Sequence, residues 1–158
     1  MTEYRFIKAS YESFVDWRSH IDYLQCSPVF HGHLRYNCVL VNDEPRKDFF
    51  AHLLFVFTYT LRASENIIIN DGQDSITIPF AIVQPFTEAP LQKRDCELCF
   101  IRLKEKPPGE SLIIPARSIH HGAYIVSEDT AQHTSIVVNV IDDDMFLRML
   151  AMYPPSYM

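Results

Sequence analysis

Seven histidines are spread through the chain, and their spacing carries most of the chemistry that can be read from it. Histidine titrates near neutral pH, which suits it to general acid or base work and to metal ligation. His120 closes a patterned stretch: Gly109, five residues, Pro115, four residues, then the histidine. His31-Gly32-His33 places two imidazoles on one side of a strand, together with Arg35 and Asn37. That side is either a solvated polar face or the polar lining of a barrel. In the second case His31, His33 and Arg35 meet His120 across the interior. Arg35 is then suited to grip a carboxylate or phosphate through two hydrogen bonds. The tandem His120-His121 is expected to split across its strand, one side chain in and one out.

The cysteines point away from metal chemistry. Cys96 and Cys99 form a C-x-x-C, but Cys96 to Leu103 reads as a strand. Residues three apart on a strand face opposite ways and do not chelate one ion. The cysteines are therefore expected to be buried or incidental thiols.

The elements that must position these residues read mostly as strands. Tyr4 to Ile7 is expected to form the first strand. Ser10 resembles a helix N-cap, and Phe14, Trp17, Ile21 and Leu24 recur at helical spacing, which predicts a helix over Tyr11 to Leu24. Beyond Pro28 the period changes to two, predicting a strand from Phe30 to Leu40. Phe49 to Leu61 is a long apolar strand expected to be buried on both sides. Asp71-Gly72 between β-rich runs signals a hairpin that joins Asn66 to Asn70 with Ser75 to Val83. Further strands are expected at Cys96 to Leu103, Leu112 to Ile114, Ile119 to Val126 and Thr134 to Ile141. Pro115 has no N–H to donate, so its strand ends there or lies at an edge. A short helix from Asp143 to Met152 would bury Phe146, Met149 and Leu150. The fold class is therefore mainly β, an antiparallel barrel or jelly roll, with an N-terminal helix and a short C-terminal helix. Residues 1–158 form one domain, with 151–158 as a tail.

Gly109, Pro115 and His120 resemble the second sequence motif of the cupin superfamily, G-x5-P-x-G-x2-H-x3-N. Arg117 stands at the inner glycine and Tyr124 at the asparagine. The corresponding first motif is similar to Phe50-Ala51-His52 with Val56, where only His52 is a ligand type. Phe6 to Phe14 and Ser118 to His121 resemble ureidoglycolate lyase. Pro45-Arg46, Ala51-His52 and Asn70-Asp71-Gly72 resemble the nucleotide-sugar ketoisomerase branch, which moves protons without metal. The resemblance implies a cupin-like barrel, working as a homodimer on a small polar anionic metabolite, as a lyase or isomerase. His120 and His52 would transfer the proton. His31, His33, Arg35, Arg117 and Tyr124 would hold the substrate. It implies no cofactor, with a divalent metal at His120 as the alternative.

Composition bounds the partners. The chain of 158 residues is 47% hydrophobic with a formal net charge of -6, and no Lys/Arg run exceeds two residues. Nucleic acid and anionic membrane are thereby disfavoured. No apolar run is long enough for a spanning helix, and Met1 to Ala9 lacks a signal-peptide pattern, so a cytoplasmic location is expected. A second function class stays open. Pro154-Pro155-Ser156-Tyr157 is the Pro-Pro-x-Tyr ligand pattern of WW domains. Under that reading the protein is a non-catalytic interaction or structural module, adaptor-like or viral. Its bulky strand residues, among them Phe50, Phe55, Phe57, Phe80 and Phe86, would then plug the barrel.

Overall fold

The computed structural model describes residues 1–30, 33–43, 47–62, 74–90, 100–129, 134–138 and 143–153, with backbone alone at 28–30, 33–36 and 129. The chain forms a nearly closed antiparallel barrel. In chain order the strands are β1 (Thr2–Tyr4), β2 (Phe6–Glu12), β3 (Ser19–Phe30), β4 (His33–Tyr36), β5 (Cys38–Val41) and β6 (Phe49–Arg62). They continue with β7 (Ser75–Glu88), β8 (Ile101–Glu105), β9 (Leu112–Pro115), β10 (Ile119–Ala123), β11 (Ile125–Asp129) and β12 (Thr134–Val137), before helix α1 (Asp143–Met152). The main sheet runs β10-β5-β6-β7-β8-β12-β11, with β1 added to β6 and β9 added to β7. A second sheet, β2-β3-β4, covers it.

Long strands β6 and β7 form the spine, paired from Ala51↔Pro85 to Arg62↔Ser75. The turn expected at Asp71-Gly72, and the strand at Asn66 to Asn70, fall outside the described residues. Two prolines in β7 are tolerated because of where its second neighbour changes. β9 pairs with Phe80 to Val83 and β8 with Phe86 to Glu88. Pro79 and Pro85 flank the β9 ladder, where a missing N–H breaks no bond on that side. A bulge in β6 between Leu53 and Phe55 re-aims the strand, so that Leu53 and Val56 both enter one core.

That core lies between the two sheets. Ala9, Leu24 and Cys26 of the covering sheet pack on Val39, Val41, Ala51, Leu53, Val83 and Ile119. Truncating a buried leucine here, Leu24 or Leu53, would cost about 2–5 kcal/mol. The opposite face of β5 and β6 builds a second core, in which Leu40, Phe50, Phe86, Leu103 and Val137 meet Met145 and Met149 of α1.

The helix expected over Tyr11 to Leu24 is instead the β2–β3 hairpin, paired from Phe6↔Gln25 to Glu12↔Ser19. Leu24 alone of the helical stripe is buried. Phe14, Trp17 and Ile21 are exposed by 39%, 72% and 45%, so these three face no core. The connecting turn satisfies its backbone locally, with Val15 N–H donating to Ser13 Oγ and Arg18 N–H to Asp16 Oδ1. Such side-chain bonds compete with helix. Trp17 sits at φ 57°, which ends any right-handed helix there.

The strand expected from Phe30 to Leu40 breaks at Asn37, where the chain leaves the covering sheet for the main one. Asn37 is pinned by Gln25: its N–H donates to Gln25 O, and its Oδ1 accepts from Gln25 N–H at 2.6 Å. Ile119 to Val126 is likewise two strands, parted at Tyr124. α1 has the expected limits, but it buries Asp144, Met145, Arg148 and Met149, while Phe146 is 39% exposed. No helix among the described residues is long and apolar enough to cross a membrane.

Candidate functional site

His52 stands in the middle of the main sheet, register-paired with Cys38 on β5 and Gln84 on β7. Its two ring nitrogens have different partners. Nε2 lies 3.0 Å from Glu105 Oε1, and Nδ1 lies 3.3 Å from Cys38 Sγ. A carboxylate only accepts, so Nε2 carries the hydrogen, and Nδ1 accepts from the thiol. The Phe86 ring packs against the imidazole at 4.7 Å and fixes its plane. Glu105 reaches His52 because it ends β8, where it pairs with Phe86. Burial, and then the charge of Glu105, push the Cys38 thiol up to about 12, so it rests as a neutral donor.

Two cavities flank this line of side chains. On the Glu105 side is a cleft of about 790 Å³, lined by Gln84, Lys104, Glu105, Lys106 and Glu110. Gln84 Nε2 donates to Lys106 O at 2.6 Å and holds its wall, while Lys106 Nζ lies 3.2 Å from Glu110. On the Cys38 side is a pocket of about 260 Å³, lined by Asp22, Asn37, Cys38, Gly122, Tyr124 and Met145. Gly122 permits the close approach of β3 there. Its N–H donates to Asp22 Oδ2 at 2.8 Å, and a Cβ would come 3.0 Å from Leu24 Cδ2.

His120 belongs to a different cluster. A bulge between Ile119 and His121, opposite Val41 and Leu40, inserts His120 as the extra residue. It overturns the expected in-and-out alternation: both rings face Tyr11, at 6.1 and 4.8 Å, and lie 5.5 Å from each other. His121 is fully buried, its Nδ1 donating to Gly122 O at 2.6 Å and its Nε2 lying 3.7 Å from Asp144 Oδ2. Asp144 accepts from Phe14 N–H and Arg148 Nε, both at 2.5 Å, and Arg148 also donates to Glu12 O. These bonds hold Asp144 ionised, below the usual carboxylate range, against the opposing effect of burial. Nε2 of His120 and of His121 are buried without a hydrogen-bond partner. Burial, with the Arg148 guanidinium beside it, lowers His120 to about 4 and His121 in the same direction.

The residues singled out from the sequence therefore disperse. His52 and His120 lie on opposite sides of β5, on β6 and β10. Arg117 is exposed on the turn Ala116–Ser118, and Tyr124 is 63% exposed at the rim of the smaller pocket. His33 and Arg35 lie on β4 in the covering sheet, and His31 is outside the described residues. Cys96, Cys99 and the Pro154-Pro155-Tyr157 segment are outside them too. Glu105 and Cys38, which complete the His52 line, carried no sequence signal beyond residue type. They lie 53 and 14 positions from His52.

A cupin-type metal centre does not fit the described residues. His52 commits both nitrogens, Phe50 and Val56 offer no ligand atom, and no group of three His, Cys, Asp or Glu is placed around one ion. No protein-family model, curated protein or solved structure matches the chain, so geometry alone carries the functional reading.

Proposed function

We propose that this cupin-like barrel is a small-molecule enzyme, a lyase or isomerase, that moves a proton on a polar anionic metabolite at the Glu105 cleft. The carrying observation is the 3.0 Å His52–Glu105 pair at the edge of the 790 Å³ cleft. Glu105 presents its carboxylate to the cleft as the proton acceptor. His52 donates to its other oxygen and fixes its aim. Lys104 and Lys106 flank it as anchors for a substrate carboxylate or phosphate. The work expected of His120 and Arg117 moves to Glu105 and these lysines. The reading assumes a cytoplasmic homodimer.

Thermal-shift titration with small carboxylic acids and nucleotide sugars tests it. A ligand at a hundred times its Kd stabilises by about 2.7 kcal/mol. The expected result is a hit that Lys104→Ala/Lys106→Ala weakens at least tenfold, and for which Glu105→Gln abolishes turnover. No stabilisation by any acid, or a hit indifferent to both variants, refutes it.

A second reading, a non-catalytic interaction module, is favoured by the outer face of β2–β3. Phe6, Ile21 and Tyr23 alternate there, exposed by 60%, 45% and 66%. Sedimentation that shows a monomer indifferent to Phe6→Ser/Tyr23→Ser counts against it.

A further inference from the structure

The lone pair of His52 does not face the cleft. Its Nδ1 faces a thiol, and the order Cys38 Sγ, His52 Nδ1, His52 Nε2, Glu105 Oε1 is that of a nucleophile, a base and the group that orients the base. We propose that Cys38 is a nucleophile that accepts a short acyl group from an ester or thioester entering the 260 Å³ pocket. Three further observations support this. Cys38 is half-buried and lines that pocket, whereas Cys26 is 1% exposed, with its thiol donating to Tyr4 O. The strands hold the pair in register, Cys38 opposite His52, so the contact is built into the sheet. Asn37, on the same lining, has its Oδ1 committed to Gln25 N–H. Its NH₂ is the remaining donor group for a developing oxyanion.

The step balances without a cofactor. As Sγ attacks the acyl carbonyl carbon, its proton passes to His52 Nδ1, and the Nε2–H stays on Glu105, which stabilises the imidazolium. The carbon–oxygen or carbon–sulfur bond to the leaving group then breaks, and Nδ1–H returns the proton to that group. Water, deprotonated by Nδ1 in the same way, releases the acid and restores the thiol. A thiol that rests protonated needs this transfer in concert with attack, as a hydroxyl nucleophile does.

The inference shares the His52–Glu105 pair with the proposed function but uses the opposite pocket and a different readout. p-Nitrophenyl acetate is added to the folded protein, and acetylation is followed by intact mass and peptide mapping. Expected is a single acetyl on Cys38, none on Cys26, formed about a hundredfold more slowly in His52→Ala. Glu105→Gln, at a partly exposed strand end, gives the same slowing if His52→Ala does not fold. Acetylation of Cys38 no faster than Cys26, or at a rate unchanged in the folded variants, overturns the proposal. Neither outcome depends on whether any acid binds the cleft.

Discussion

Acid should destabilise this protein through two histidines before the Asp144 and Glu88 carboxylates are protonated. An ordinary histidine titrates near 6.5, and His120 is lowered to about 4 by burial first and Arg148 second. Between these values the unfolded chain takes up a proton that the folded chain refuses. Stability from His120 is therefore complete above about pH 6.5 and is lost as pH falls through the window towards 4. The gap is worth about 3 kcal/mol, with a slope of up to about 1.4 kcal/mol per pH unit. His121, lowered for the same reasons, adds a loss of the same sign. Asp144 and Glu88 do not share the window. They are held below their ordinary 3.8 and 4.5, so their contributions persist above those values and fall only below them. Urea unfolding followed by circular dichroism at pH 7.5, 6.5, 5.5 and 4.5 reads the slope directly. His120→Gln should reduce it by about 1 kcal/mol per pH unit between 6.5 and 4.5. A wild-type stability flat over that range, or a slope that survives His120→Gln intact, would refute the reasoning.

Arg148→Ala should cost about 3–5 kcal/mol, because it removes the cationic partner of the buried Asp144 carboxylate and the donor to the Glu12 carbonyl. Urea midpoints should show Arg148→Met/Asp144→Asn recovering part of that loss. Trp17→Gly should raise stability by about 1 kcal/mol, since it relieves a left-handed tryptophan that is 72% exposed. A lower melting temperature in that variant would show that the Phe14–Trp17 stacking at 6.2 Å outweighs the backbone strain.

Features set by neighbouring residues were legible along the chain. Strand β9 ends at Pro115 because proline has no N–H to continue the ladder. β6 begins at Phe49 and is buried on both faces over its first half because it lies between two cores. α1 spans Asp143–Met152, with acidic residues in its first turn opposite the helix dipole. Together these made the mainly β class legible.

Other features depend on contacts between distant strands. Phe14, Trp17, Ile21 and Leu24 fit a helical period by spacing alone. The hairpin wins because it lays Ala9, Leu24 and Cys26 onto the main sheet, a surface that no local window contains. His52 was recognisable as a candidate, but its partners depend on register: Cys38 one strand away, and Glu105 two strands away through β7. One inserted residue at the β10 bulge put His120 beside His121 rather than across the strand from it. Side-chain chemistry was present in the sequence. Which atoms face each other was settled by strand pairing and bulges, which bring together residues that the chain keeps far apart.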